Sequence, residues 1–262
     1  MKPTLPLPLD IRLMNMTAAL LVMAFVLLIL GGGAWWLLRH PVFAIQAITV
    51  QGEVTRNNAV TLRANVMPQL SGNFFTIDLK RTREAFEAVP WVRGAVVHRD
   101  FPNSLRTVLV EHQPMALWGD EGTNKMVNQQ SRVFEANVED VDVEHLPRLK
   151  GPDAQSQMVV QMYRDLLPIF EAMDMGIEQL ELTPRGSWRV LTDGGALLEL
   201  GRGTEAEITA QLKLFFKTLS QVTARYGRTP TSLAGADLRH KDGYALRLRG
   251  VTTLEAVGPK KP

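Results

Sequence analysis

Residues 17–38 read TAALLVMAFVLLILGGGAWWLL, and the surrounding run Leu13–Leu38 contains no charged residue. A helix needs about 20 mainly apolar residues to cross a bilayer, so this run is long enough. Trp35 and Trp36 stand near its end, where an aromatic belt at the membrane interface is expected. The sequence therefore predicts a transmembrane helix at residues 16–38.

The few charges around this run indicate the orientation of the helix. Lys2 and Arg12 precede it, Asp10 partly offsets them, and Arg39 follows it directly. The positive-inside rule then favours a cytoplasmic tail at residues 1–15, with everything after the helix outside the cytoplasm.

A cleaved signal peptide is the alternative, with residues 18–30 as its apolar region and Gly32-Gly33-Ala34 as small residues for cleavage after Ala34. The apolar run continues through residues 35–38, beyond any such site. This continuation favours an uncleaved anchor.

The composition describes a near-neutral globular protein. The 262 residues include 29 Lys and Arg against 27 Asp and Glu, and 45% of them are hydrophobic. These values argue against a disordered chain and against a strongly basic protein that binds nucleic acid. The chain has no cysteine, which excludes disulfides, a thiolate nucleophile and any metal site with cysteine ligands.

The first block after the apolar run has the order β-α-α-β-β and predicts an α+β module. Asn58 and Asp78 are suitable N-caps for its two helices, and Pro90 ends the second helix. The alternation of apolar residues and the turn at residues 100–103 predict the strands. The predicted strands are residues 44–51, Trp91–Arg99 and Leu105–His112.

The second block predicts a β-rich domain with two long helices, followed by a disordered tail at residues 251–262. One helix is expected at Ala154–Met175 with Gly176 as its C-cap, and one after a Thr204–Glu207 capping box, ending at Gly227. Residues 136–153 are expected to be loop-rich. The predicted strands are Met115–Trp118, Lys125–Asn128, Arg132–Glu135, Ile177–Thr183, Trp188–Thr192, Ala196–Leu200, Leu233–His240 and Tyr244–Arg249.

The sequence carries no recognisable catalytic, cofactor or metal site. The usual nucleophile, zinc and nucleotide motifs are missing from it. Gly201-Arg202-Gly203-Thr204 resembles a phosphate cradle, but a capping box explains the same residues. His98 and His112 could meet across a strand pair, although a solvated sheet face is the favoured interpretation. We therefore expect a protein that is not an enzyme, with no small-molecule substrate.

The last predicted strand, Tyr244–Arg249, is expected at a sheet edge. Tyr244, Leu246 and Leu248 would face one side of it, and Arg247 and Arg249 the other. An edge strand can accept a strand from another chain, and the arginines could select an acidic partner. The same charges could instead protect the edge from aggregation, and the residues alone leave both interpretations open.

Six motifs, in this order and spacing, resemble the FtsQ/DivIB family of bacterial cell division proteins. The likeness covers about residues 13–250. The motifs are Pro90-Trp91-Val92, Phe101-Pro102-Asn103-Ser104-Leu105, Val110-Glu111-His112-Gln113-Pro114 with Ala116 and Trp118, Leu149-Lys150-Gly151-Pro152, Leu200-Gly201-Arg202-Gly203 and Asp237-Leu238-Arg239.

The resemblance implies a POTRA domain at residues 43–112 and an FtsQ-type β domain at 113–250, both periplasmic, behind a type II single-pass anchor in the inner membrane. It implies a non-enzymatic divisome scaffold at the septum that binds FtsB, with FtsL, through its last strand. The POTRA and transmembrane regions would contact other division proteins such as FtsK. The implied partner-binding residues are Arg185, Ser187, Arg239, His240, Tyr244, Ala245, Leu246, Arg247, Leu248 and Arg249.

Two alternatives remain. One is a POTRA-bearing component of envelope transport or secretion, which would bind unfolded segments along the edge of its POTRA sheet. The other is an envelope enzyme with an unfamiliar site.

Overall fold

The apolar run near the N-terminus forms one helix, α1 (Leu9–Leu38). The structure is a computed structural model that describes residues 9–52, 54–240 and 243–251. An 18-residue window within Asp10–Leu38 has a mean hydropathy of 2.5, and none of that window is buried. By length and composition, this helix is long and apolar enough to cross a membrane. The helix begins before the predicted residue 16, with Asp10 in its first turn, where a carboxylate favours a helix N-terminus.

The chain divides between Glu111 and His112 into two structural units. After α1, the first unit has the predicted order β-α-α-β-β. Side-chain oxygens cap both of its α-helices as predicted: Asn58 Oδ1 accepts from the Thr61 N–H at 2.7 Å, and Asp78 Oδ1 accepts from the Lys80 N–H at 2.9 Å. Its elements are β1 (Ala47–Gly52), α2 (Ala59–Val66), α3 (Leu79–Glu87), β2 (Val92–Asp100) and β3 (Ser104–Glu111).

The three strands form a sheet in the order β1-β3-β2, with β1 parallel and β2 antiparallel to β3. Apolar residues of both helices and of the sheet form the core of this unit, among them Leu62, Phe86 and Leu109. The end of β3 is tied to the segment before α2, because the buried Glu111 carboxylate accepts hydrogen bonds from the backbone N–H groups of residues 55–57.

The second unit contains two long helices and nine strands among its described residues. The strands are β4 (Pro114–Trp118), β5 (Lys125–Asn128), β6 (Val133–Glu135), β7 (Arg148–Lys150), β8 (Ile177–Leu182), β9 (Trp188–Thr192), β10 (Leu197–Gly201), β11 (Leu233–Asp237) and β12 (Ala245–Leu248), and the helices are α4 (Ser156–Glu171) and α5 (Glu205–Arg225).

These strands form one sheet in the order β12-β11-β10-β9-β8-β7-β4-β5-β6. The stretch 136–153, expected to be loop-rich, contains one strand that was not predicted, β7, which pairs in parallel with both β4 and β8. β7 has only three residues, of which Leu149 is buried. Three residues are too few to show the alternation of apolar and polar side chains that predicts a strand. The neighbouring strands of the sheet supply the hydrogen bonds of β7.

The helices α4 and α5 cover one face of this sheet and share its core, where Phe170 meets Phe216 edge-on with ring centroids 5.2 Å apart. The predicted C-cap at Gly176 is wrong: α4 ends at Glu171, and Asp174 takes the left-handed conformation in the turn that follows. The Thr204–Glu207 capping box at the start of α5 is confirmed, and Gly227 follows its end with φ +61°.

Two predicted segments lie largely outside the described residues. One is most of the predicted tail at 251–262, and the other is the first eight residues of the predicted cytoplasmic tail.

Candidate partner-binding edge of the sheet

The last strand lies at an edge of the nine-stranded sheet. β12 pairs antiparallel with β11, and Asp237 is opposite Ala245 while Gly235 is opposite Arg247. Within the described parts of the chain, no strand lies along the other side of β12. The backbone groups that point to this side are therefore available to a strand from another chain.

Inward side chains fix β12 to the core. Leu248 is buried and Leu246 is half-buried against the same cluster. Tyr244, just before the strand, donates a hydrogen bond from its hydroxyl to Thr218 Oγ1 of α5 at 2.7 Å. Its ring meets Phe215 edge-on at 4.9 Å. The predicted alternation is thus present, with Ala245, Arg247 and Arg249 exposed on the other side.

The two arginines of this segment have different surroundings. Arg249 donates from Nη2 to the Gly194 carbonyl in the turn between β9 and β10, and its backbone N–H donates to the Ser232 carbonyl at 2.8 Å. Arg247 is exposed, and its guanidinium has no hydrogen bond or ion pair with any residue that the structure describes. Arg247 is therefore the more available of the two charges.

Arg239 and His240 lie beyond the end of β11, which stops at Asp237 instead of the predicted residue 240. The Arg239 guanidinium holds the Asp237 carboxylate through two hydrogen bonds, one of them from Nε to Oδ1 at 2.9 Å. These hydrogen bonds, and a further one from the Arg239 backbone N–H, lower the pKa of Asp237 to about 2. The charge of Arg239 is thus balanced within the protein, while His240 is exposed.

Arg185 and Ser187 lie in the turn between β8 and β9. Gly186 has φ +75° there, and the Ser187 N–H donates to Thr183 Oγ1 at 3.0 Å. The strand register places this turn, the segment 238–240 and the start of β12 at the same end of the sheet. However, β9 is three strands from β12, which corresponds to about 14 Å.

The predicted site residues therefore form two groups. Tyr244–Arg249 follow the sheet edge, whereas Arg185 and Ser187 lie at the end of strands inside the sheet, with Arg239 and His240 between the two. A strand added to β12 contacts the first group only. A partner that also contacts Arg185 needs a second segment that crosses the end of the sheet.

A row of charged residues on the open face of the sheet was not predicted. Arg189 pairs with Glu199 at 2.9 Å and with Glu181 at 3.8 Å, and Lys150 lies 3.9 Å from Glu181. These residues belong to separate segments that only the strand register aligns. The row runs through Lys150, Glu181, Arg189, Glu199 and Asp237 to Ala245 of β12.

One histidine prediction is wrong. His98 is exposed on the first sheet, but His112 is buried in the second unit. The His112 ring stacks on Phe134 at 4.0 Å, and its Nδ1 lies 2.8 Å from Asn128 Nδ2. Within the described ranges, no group of three or more His, Asp or Glu residues could hold a metal ion.

The architecture is that of a protein with an apolar, membrane-type helix followed by a β-α-α-β-β unit and a β-rich unit. Comparison with known proteins identifies both units. Residues 43–112 match a model of the FtsQ-type POTRA domain, and residues 116–239 match the C-terminal model of cell division protein FtsQ/DivIB.

Full-length relatives agree with the two domain matches. The chain is 38% identical over 247 residues to cell division protein FtsQ of Thiomonas arsenitoxydans, covering 94% of this chain and 90% of the relative. It is 35% identical to that of Burkholderia pseudomallei, over 94% of this chain and 96% of the relative. It is 36% identical to that of Bordetella pertussis, over 91% and 92%.

The chain belongs to the FtsQ/DivIB family of bacterial cell division proteins. It is a component of the divisome, and its one apolar N-terminal helix is consistent with a single-pass membrane protein. The family is a family of division scaffolds and not a known enzyme family.

Proposed function

We propose that this protein is a non-enzymatic scaffold of the division septum that binds FtsB, together with FtsL, through β12. Its N-terminus is cytoplasmic, α1 is a type II anchor in the inner membrane, and both the β-α-α-β-β part of the first unit and the second unit are periplasmic. The observation that carries the proposal is the exposed outer side of β12, a strand whose inner side chains are fixed to the core.

Strand addition suits this edge for two reasons. The strand is held in place before a partner arrives, so little conformational entropy is lost when its outer backbone groups form hydrogen bonds. The exposed residues Ala245 and Arg247 leave room on the open face for partner side chains. An acidic side chain opposite Arg247 would form an ion pair, and such a charge contact favours one partner and one register.

Protection of the edge remains the competing explanation for the charge on β12. Arg249 fits that explanation poorly, since its guanidinium is held by the Gly194 carbonyl. One arginine without a partner among the described residues is a weak protecting device for a four-residue strand, whereas the family of this chain assembles with other division proteins. We therefore favour partner binding.

The first unit and α1 are proposed to contact other division proteins, FtsK among them. One structural feature favours the alternative of a transport or secretion component. A cleft of 440 Å³ lies between β1 and α2 and is lined by apolar residues such as Ile48, Leu62 and Phe86. An extended segment could occupy such a cleft, but membership of a cell division family favours the divisome role.

The test measures binding of the purified β domain and of the whole protein to FtsB–FtsL from the same organism. Arg247→Glu should weaken binding at least tenfold, and Leu246→Pro should abolish it by disrupting the strand edge. Arg225→Glu, an exposed reversal at the end of α5, is the matched control and should bind as the wild type does. Unchanged affinity of a folded Arg247→Glu variant, judged by its circular dichroism spectrum, would contradict the proposed edge site.

A further inference from the structure

The end of α1 is attached directly to the β-α-α-β-β part of the first unit. The side-chain amide of Asn73 donates a hydrogen bond to the carbonyl of Leu38, the last residue of α1. Oδ1 of the same side chain accepts from the backbone N–H groups of Phe75 and Thr76 at 3.1 and 3.0 Å. Asn73 thereby holds the loop at residues 73–77 against the end of the helix.

The turn between β2 and β3 lies at this same end of the unit. Ala47, the first residue of β1, is opposite Ser104, and the Gln46 N–H donates to the Asn103 carbonyl at 2.9 Å. Phe101 belongs to this turn. A chain of edge-on contacts joins the elements, with centroid distances of 4.9 Å for Phe43–Phe75, 5.2 Å for Phe74–Phe75 and 5.8 Å for Phe74–Phe101.

Three large apolar side chains at this end face outward, and we call them the apolar tip: Val42, Phe75 and Phe101. They are 53%, 44% and 73% exposed. Two charged residues next to these side chains, Arg99 and Asp100, have partners within the protein. The Arg99 guanidinium donates to the carbonyls of Phe74 and Ile77 at 2.7 and 2.9 Å, and Asp100 pairs with Arg106 at 2.8 Å.

We propose that the apolar tip inserts into the bilayer interface on the side where α1 leaves the membrane. Trp35 and Trp36 mark this interface within α1. The tip follows the end of the same helix, through the Asn73–Leu38 hydrogen bond and the short connection Pro41–Phe43. Exposed Phe and Val side chains gain free energy on entering the boundary between headgroups and acyl chains. The position of the tip beside the end of α1 thus indicates that a lipid surface covers it.

This contact would hold the first unit against the membrane. The turn at residues 101–103 and the loop at 73–77 would then be unavailable to soluble partners, and the sheet edges would remain accessible. The inference rests on α1 crossing the membrane and is independent of any partner of β12.

The absence of cysteine makes a single-label experiment possible in the full-length protein. Phe101→Cys and Val42→Cys are each labelled with the fluorophore NBD and reconstituted into vesicles of phosphatidylethanolamine and phosphatidylglycerol. The matched control is Val60→Cys, on an exposed apolar residue in the first turn of α2. α2 begins after the end of β1 that is opposite to the tip. Quenching is measured with a nitroxide lipid labelled near its headgroup and with aqueous iodide.

We expect labels at residues 101 and 42 to emit at shorter wavelength, to be quenched by the nitroxide lipid, and to be several-fold less accessible to iodide than the label at residue 60. Equal iodide quenching at residues 101 and 60 would overturn the proposal, as would lipid quenching of the control. Extraction of the same vesicles with carbonate tests whether α1 spans the membrane, since a spanning protein stays with the lipid. Release of the protein would overturn the inference through α1 and would leave strand addition at β12 untouched.

Discussion

The hydroxyl of Tyr244 donates to Thr218 Oγ1 at 2.7 Å and so connects the start of the edge strand to α5. Thr218 is one turn beyond Phe215, whose ring meets the Tyr244 ring. A polar and an aromatic contact therefore act on one side chain. The position of β12 depends on α5 in consequence, although the two elements are separated in sequence.

Removing the Tyr244 contacts stepwise should separate their contributions. Tyr244→Phe loses one hydrogen bond and should lower the free energy of unfolding by about 1 kcal/mol. Tyr244→Ala also loses the ring and should cost about 3 kcal/mol. Urea unfolding of the β domain measures both. Equal stability of the two variants would show that the ring contact contributes nothing.

Charge reversal should have different effects at the two arginines of the edge. Arg249→Glu breaks the hydrogen bond to the Gly194 carbonyl, so we expect a lower midpoint of thermal unfolding and a modest loss of FtsB affinity. Arg247→Glu should leave the midpoint unchanged and reduce affinity more strongly. Thermal melts and titration calorimetry on both variants test this order, and a reversed order would assign the partner contact to Arg249.

The Asp237–Arg239 pair should contribute stability that depends on pH. Hydrogen bonds from Arg239 lower the pKa of Asp237 from 3.8 to about 2 in the folded protein. A lowered folded pKa stabilises the protein above the unfolded pKa, and this stabilisation is lost as the pH falls from about 4 towards 2. The loss should be small because solvent screens the pair. Wild type and Asp237→Asn should therefore differ in stability at neutral pH and converge in acid, as measured by urea unfolding.

Glu111 should be among the most sensitive positions of the first unit. It is 1% exposed, and its carboxylate accepts from three backbone N–H groups and from Asn57 Nδ2. Glu111→Ala leaves these donors unpaired and should cost about 3 kcal/mol or more. Glu111→Gln keeps one acceptor oxygen and should cost less. Thermal unfolding of both variants provides the comparison, and an equal loss would show that one remaining acceptor oxygen contributes nothing.

Changes to the capping box of α5 should affect the free energy of unfolding less than changes to Glu111 do. The Glu207 N–H donates to Thr204 Oγ1, while Glu207 Oε2 accepts from the Thr204 N–H at 2.8 Å. Thr204→Ala should lower the free energy of unfolding by about 1 kcal/mol. Thr204→Ser keeps the capping hydroxyl and should retain most of this stabilisation. A loss for Ser as large as for Ala would mean that the methyl group, and not the hydroxyl, matters.

Local signals were sufficient for most elements. The caps at Asn58, Asp78 and Thr204 were predictable because each is a hydrogen bond between a side chain and a backbone a few residues away. β7 was not, because its three residues become a strand only between β4 and β8. Gly176 was misread as a cap because Asp174 takes the left-handed conformation in its place.

The sequence predicted the strand at the candidate site, but not the contacts that the side chains of the site make. Alternation from Tyr244 to Arg249 indicated which side chains face the core. It could not show that Gly194 would hold Arg249, or that Asp237 would hold Arg239, because the first contact joins separate segments and the second follows the end of β11.

The amino-acid sequence alone specified the membrane-type helix, the β-α-α-β-β order and the faces of the last strand, because hydrophobic period and capping act over a few residues. The register of the nine-stranded sheet depends on pairing between distant segments. That register places β12 at an edge, aligns Lys150 with Asp237 through three intervening strands, and leaves Arg247 as the arginine of β12 with no partner among the described residues. Long-range pairing therefore determines which charges remain available to a partner.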